Sequence, residues 1–122
     1  MSGDIYFGFD SSMPLGQQGN DGYVNSSTFD AFGDLMDEAL AQTHPKQLEE
    51  IKEGQYQMLY SFCRLSAADY NTVIHAMRVY ITGVVNPTDW QQKGVWVWRE
   101  MAEPFIRKDK RYDFAFHGET SA

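Results

Sequence analysis

DIYFGFD, residues 4–10, alternates so that Ile5, Phe7 and Phe9 share one face. A two-residue period suits a half-buried strand and gives a helix no continuous apolar face. The same pattern returns in RYDFAF, residues 111–116, where Tyr112, Phe114 and Phe116 align. Aromatic faces of this kind interact across neighbouring strands, so the two ends of the chain are expected to pair. Two strands alone are marginal in water, and their aromatic face is expected to pack on whatever lies between them.

What lies between reads as about four helices. SSMPLGQQGNDG, residues 11–22, is a loop by its Gly, Ser, Asn and Pro content. A helix is expected over roughly 28–41 with Ser27 as its cap, and a second from Pro45 through Leu65, weakened but not broken by Gly54. A third opens at SAAD, where Ser66 and Asp69 have capping-box spacing, and stops at Gly83. Its apolar set, Tyr70, Val73, Ile74, Met77 and Ile81, follows the helical period. A fourth starts at the Thr88 cap and is expected to end near Pro104. Residues 94–99, GVWVWR, suit helix or strand; Trp90, Val97 and Met101 on one side favour helix. The expectation is an α+β fold, mostly helical, with a small sheet formed by the N- and C-terminal strands.

At 122 residues the chain has the size of one domain, 1–122, and an aromatic content of 15% supplies the large side chains a core needs. The net charge of −7 repels phosphates and anionic lipid and favours a basic partner. One cysteine, Cys63, allows no internal disulfide. The opening residues lack the basic region and cleavage site of a signal peptide, and His75 and Arg78 interrupt the longest apolar run. A cytoplasmic location without membrane association is the corresponding expectation.

The charge is unevenly placed. Seven acids and no base precede Lys46; after that the remaining ten acids balance ten bases. In FDAFGDLMDEALAQ, residues 29–42, the apolar stripe is Phe29, Phe32, Leu35, Met36, Ala39 and Leu40. Asp30, Asp34, Asp37 and Glu38 occupy the other side. Like charges four apart cost a helix a few tenths of a kcal/mol, which hints at a purpose elsewhere; a solvated face is the plain alternative. Glu49, Glu50 and Glu53 extend the field, diluted by Lys46 and Lys52. These seven residues are the candidate partner-binding set. The opposite cluster, Arg107, Lys108, Lys110 and Arg111 beside Tyr112, reads first as a solvated end, then as a complement to the acidic helix, and last as a phosphate contact.

No motif points to catalysis. His44, His75 and His117 lack metal-ligand spacing, the glycines form no phosphate cradle, and YSFCRL around Cys63 suits a small buried hydrophobe. No cofactor and no metal are expected. In size, acidity and the lack of a catalytic motif, the chain resembles the small acidic bacterial toxin-immunity proteins. That resemblance implies a monomeric or dimeric cytoplasmic inhibitor covering the active site of a basic, nuclease-type toxin. It carries no diagnostic string and assigns no residue. The second expectation is a structural or regulatory interaction module anchored by aromatics such as Tyr23, Trp96 or Trp98; the third is a small enzyme using Cys63 or a histidine.

Overall fold

The computed structural model describes residues 2–9 and 19–120. Its elements are β1 (Ser2–Phe9), β2 (Gly19–Asn25), α1 (Ser26–Leu40), α2 (Pro45–Ile51), β3 (Leu59–Ser61), α3 (Ala67–Gly83) and α4 (Asp89–Val97). A π-helical turn, Trp98–Ala102, then leads into the short α5 (Glu103–Ile106). The fold is α+β and mostly helical, with one small sheet.

The sheet differs from the expected one in its partners. Its order is β2-β1-β3, with β1 in the centre. β1 runs antiparallel to β2, from Ser2↔Asn25 to Phe9↔Gly19, and parallel to β3, from Asp4↔Leu59 to Tyr6↔Ser61. Both edges of β1 are therefore occupied by the N-terminal half of the chain, and the C-terminal segment forms no strand. Residues 111–116 lie in turns instead. Side chains satisfy their backbone: Asn71 donates to the Arg111 carbonyl and accepts from the Asp113 N–H, at 2.7 and 2.8 Å. Tyr112 is buried but Phe116 is half exposed, so the aromatic alternation in RYDFAF is not a strand face.

The alternation in DIYFGFD does mark a strand. Ile5 and Phe7 are fully buried, and the Phe7 ring meets Phe32, Phe62 and Trp98 at centroid distances of 5.9, 5.3 and 6.3 Å. Phe29 of α1 stacks on Tyr60 of β3 at 4.0 Å. One core thus lies between the sheet, α1 and the start of the π turn. Residues 11–18 of the expected 11–22 loop lie outside the described residues, whereas residues 19–22 belong to β2.

The helices follow the sequence with three corrections. Asn25, not Ser27, caps α1, accepting the Thr28 N–H at 2.8 Å. The expected 45–65 helix stops at Ile51; the chain turns through Gly54, takes a left-handed conformation at Met58 (φ 55°) and enters β3. The Leu59 N–H bonds the Gly54 carbonyl at 3.1 Å, so Gly54 serves the turn rather than a helix interior. Finally, Pro104 does not end the last helix. The π turn before it shifts the bonding register, and proline enters at the start of α5, where a missing N–H costs little. Ser66 and Thr88 cap α3 and α4 as expected, Thr88 in a reciprocal box with Gln91. Residues 94–99 are helical. No helix among the described residues is long and apolar enough to cross a membrane.

Candidate functional site

At about 100° per residue, Asp30, Asp34, Asp37 and Glu38 fall in one arc of α1 about 100° wide. The flanks of that arc are set by packing. On one side α4 approaches so closely that a Cβ on Gly94 would lie 2.9 Å from the Ala31 carbonyl oxygen. On the other, Gly33 leaves room for the Tyr60 hydroxyl, which a Cβ there would overlap. Burial first, then the Asp30, Asp37 and Asp34 carboxylates, push the Tyr60 hydroxyl above its ordinary pKa.

Their partners differ. Asp37 accepts from Lys52 Nζ at 2.7 Å, and that lysine also stands 5.6 Å over the Tyr60 ring. Its charge is neutralised. Asp34 accepts the Trp90 indole N–H from α4 at 2.8 Å. Glu38 Oε2 accepts both the Tyr80 hydroxyl of α3 and Gln91 Nε2 of α4. The bond to Glu38, with a smaller contribution from burial, raises the Tyr80 hydroxyl to about 12. All three donors are neutral, so Asp34 and Glu38 keep their full charge while their side chains are held in place. Asp30 is exposed and has no partner among the described residues.

The cation-free field of the sequence is not cation-free in space. Lys52 closes one flank, and Lys93, 5.6 Å from the Trp90 ring centroid and bonded to Ser27, stands at the other. The remaining candidates, Glu49, Glu50 and Glu53, lie on or just after α2, beyond Lys52. Glu53 pairs with Arg64, and Glu50 borders the same shallow groove beside β3. Glu50 and Glu53 thus share a groove that none of Asp30, Asp34 and Glu38 lines.

Trp90, Lys93 and Trp96 were not expected to flank the acidic arc. Trp90 and Trp96 are 39% and 52% exposed, whereas Gly94 and Val97, which follow Trp90 on its own side of α4, are buried. The three-residue spacing of 90, 93 and 96 carries that outward row. Of the other expected anchors, Tyr23 is exposed, but Trp98 is buried and donates to Glu103 at 2.9 Å.

The basic cluster is half structural. Arg111 lies 3.8 Å from the Tyr70 ring centroid, donates to the Phe62 and Leu65 carbonyls at 2.8 Å, and pairs with Asp109. Arg107 pairs with Glu119 and Glu103, whereas Lys108 and Lys110 are exposed. His75 is exposed and meets Phe116 edge-on; His117 stacks on Tyr112 and bonds Asn71; His44 bonds Thr43. Cys63 is half-buried, and among the described residues no hydrogen bond joins it to a histidine. No group of metal-ligating side chains was found among the described residues.

No protein-family model, curated protein or solved structure matches the chain.

Proposed function

We propose that this chain is a non-enzymatic binding protein that captures a basic protein on the acidic arc of α1 and the adjoining row of α4, and that its partner is a nuclease-type toxin which it neutralises in the cytoplasm. One observation carries the reading. Asp34 and Glu38 are fixed by neutral donors, Trp90, Tyr80 and Gln91, and so remain charged and ready. A charge held in its bound geometry loses less conformational entropy on association than a free one. Half-exposed Trp90 and Trp96 beside it supply the aromatic surface that concentrates interface energy. An acidic surface of this kind steers a basic nuclease and competes with phosphates for its site.

The test is capture from the source cell with wild type and with Asp30→Asn/Asp34→Asn/Glu38→Gln. These amides keep the acceptors that hold Trp90 and Tyr80; lysines there would break both bonds and confound folding with binding. The captured protein should be basic, its nuclease activity should fall stoichiometrically with added wild type, and its on-rate should drop about tenfold in the variant at low salt, with a flatter salt dependence. Equal on-rates and equal salt slopes would return the arc to ordinary solvated surface.

A further inference from the structure

A groove of about 460 Å³ opens at the C-terminal end of α3, lined by Val79, Tyr80, Gly83, Val84, Val85 and Gln91. Much of its lining is aliphatic and exposed: Val79 is 59% exposed and Val85 80%. None of the six carries a charge. Two of them, Tyr80 and Gln91, donate to Glu38 Oε2, which sets that carboxylate at the groove's edge. A helix C-terminus is the negative end of its dipole, and the last turn of α3 contains no basic residue to answer it. An apolar trough, a fixed carboxylate and an unanswered helix end therefore meet in one place.

We infer that this groove is the seat of a lysine side chain from the basic partner, its four-carbon stem on Val84 and Val85 and its ammonium on Glu38. Long cationic side chains bury their stems on apolar surface and keep the head at a polar edge. Lysine is preferred to arginine because Glu38 Oε2 already accepts two hydrogen bonds, whereas Oε1 accepts none from the described residues. A bidentate guanidinium requires both oxygens, whereas an ammonium needs one acceptor. The inference rests on the proposed basic partner and adds the identity of one contact.

The probe is Nα-acetyl-lysine amide, titrated into methyl-labelled protein and followed by NMR. Saturable shifts are expected at the methyls of Val79, Val84 and Val85. Glu38→Gln, which keeps the oxygen acceptor, should raise the apparent dissociation constant about three- to fivefold, the range of an exposed ion pair. Val85→Ser, at an exposed site that spares the core, should weaken binding comparably. The Nε-acetyl and norleucine analogues, which lack the ammonium, should bind more weakly by about the same three- to fivefold factor, and the arginine analogue should also bind more weakly than lysine. Equal shifts from lysine and its Nε-acetyl form, arginine binding as tightly, or no effect of Glu38→Gln would overturn the assignment. A partner captured through Asp30 and Asp34 while the lysine probe ignores the groove would overturn this inference alone. A lysine-binding groove in a protein whose on-rates ignore the arc would overturn the proposed function alone.

Discussion

Glu103 is a residue whose loss should cost the fold heavily. Its carboxylate accepts Arg78 Nε and Nη2 at 2.9 and 2.8 Å, Trp98 Nε1 at 2.9 Å and Arg107 Nη1 at 3.2 Å. The side chain is 24% exposed and that of Arg78 21%, so solvent screens the pair only in part. Glu103→Ala leaves the half-buried Arg78 guanidinium with the Tyr112 hydroxyl as its remaining described partner, and the buried Trp98 N–H with none. Breaking a buried ion pair by removing one partner costs about 3–5 kcal/mol, and the orphaned indole belongs within that range. Against a total stability of about 10 kcal/mol for a chain of this length, a loss of about 4 kcal/mol lowers the melting temperature by about 15 °C. Glu103→Gln keeps one acceptor for Arg78 and should lose about half as much. Urea unfolding followed by far-ultraviolet circular dichroism measures both. An alanine variant within about 0.5 kcal/mol of wild type, the range of an ordinary surface change, would refute the assignment of this cluster as the staple holding α3 to the C-terminal segment.

The same cluster predicts acid lability. Burial alone raises the Glu103 carboxyl, but its hydrogen bonds and charge interaction with Arg78 outweigh that and hold it below its ordinary value of 4.5. The Arg107 hydrogen bond brings Glu119 down to about 2. Depressed carboxyls stabilise the fold above their unfolded pKa and lose that contribution as pH falls through the folded one. The urea midpoint should therefore drop between about pH 4.5 and 2, less steeply in a Glu103→Gln/Glu119→Gln variant; parallel curves would refute the linkage. At Gly94, the Cβ of alanine would meet the Ala31 carbonyl at 2.9 Å and Leu35 Cβ at 3.1 Å. Despite alanine's better helix propensity, Gly94→Ala should destabilise by about 1–3 kcal/mol in thermal unfolding. An unchanged or raised melting temperature would show that α1 and α4 can separate freely.

The elements legible in the sequence were those whose signal is local. Ile5 and Phe7 alternate because one side of β1 covers the core, and Ser66 and Thr88 cap because each hydroxyl reaches a backbone N–H three residues on. The partners of β1 were not legible, since three-residue β3 is too short to show a period and GNDGYVN reads as turn chemistry before it reads as a strand. RYDFAF misled for a physical reason. Tyr112 is buried for its contacts with Arg78 and Glu119, and its ring lies 4.9 Å from that of Phe114, so spacing alone imitated a pleat. The basic cluster misled in the opposite sense: two of its arginines are tied down by contacts from residues that are distant in sequence, which no local pattern records.

The acidic arc shows how a correct count can give an incomplete surface. All net charge precedes Lys46 along the chain, yet Lys52 and Lys93 return to its flanks, so the partitioning that matters is by donor type rather than by sequence segment. Where the donor is a lysine, as at Asp37, the field is cancelled. Where it is an indole, a phenol or an amide, the field survives and the side chain is hydrogen-bonded. The same bonds tie α1 to α3 and α4. On the proposed function they also hold the charge in position for a partner, at the two carboxylates that adjoin the exposed tryptophans and the aliphatic groove. Of the α2 acids, Glu53 already pairs with the Arg64 guanidinium, so its field is cancelled as at Asp37.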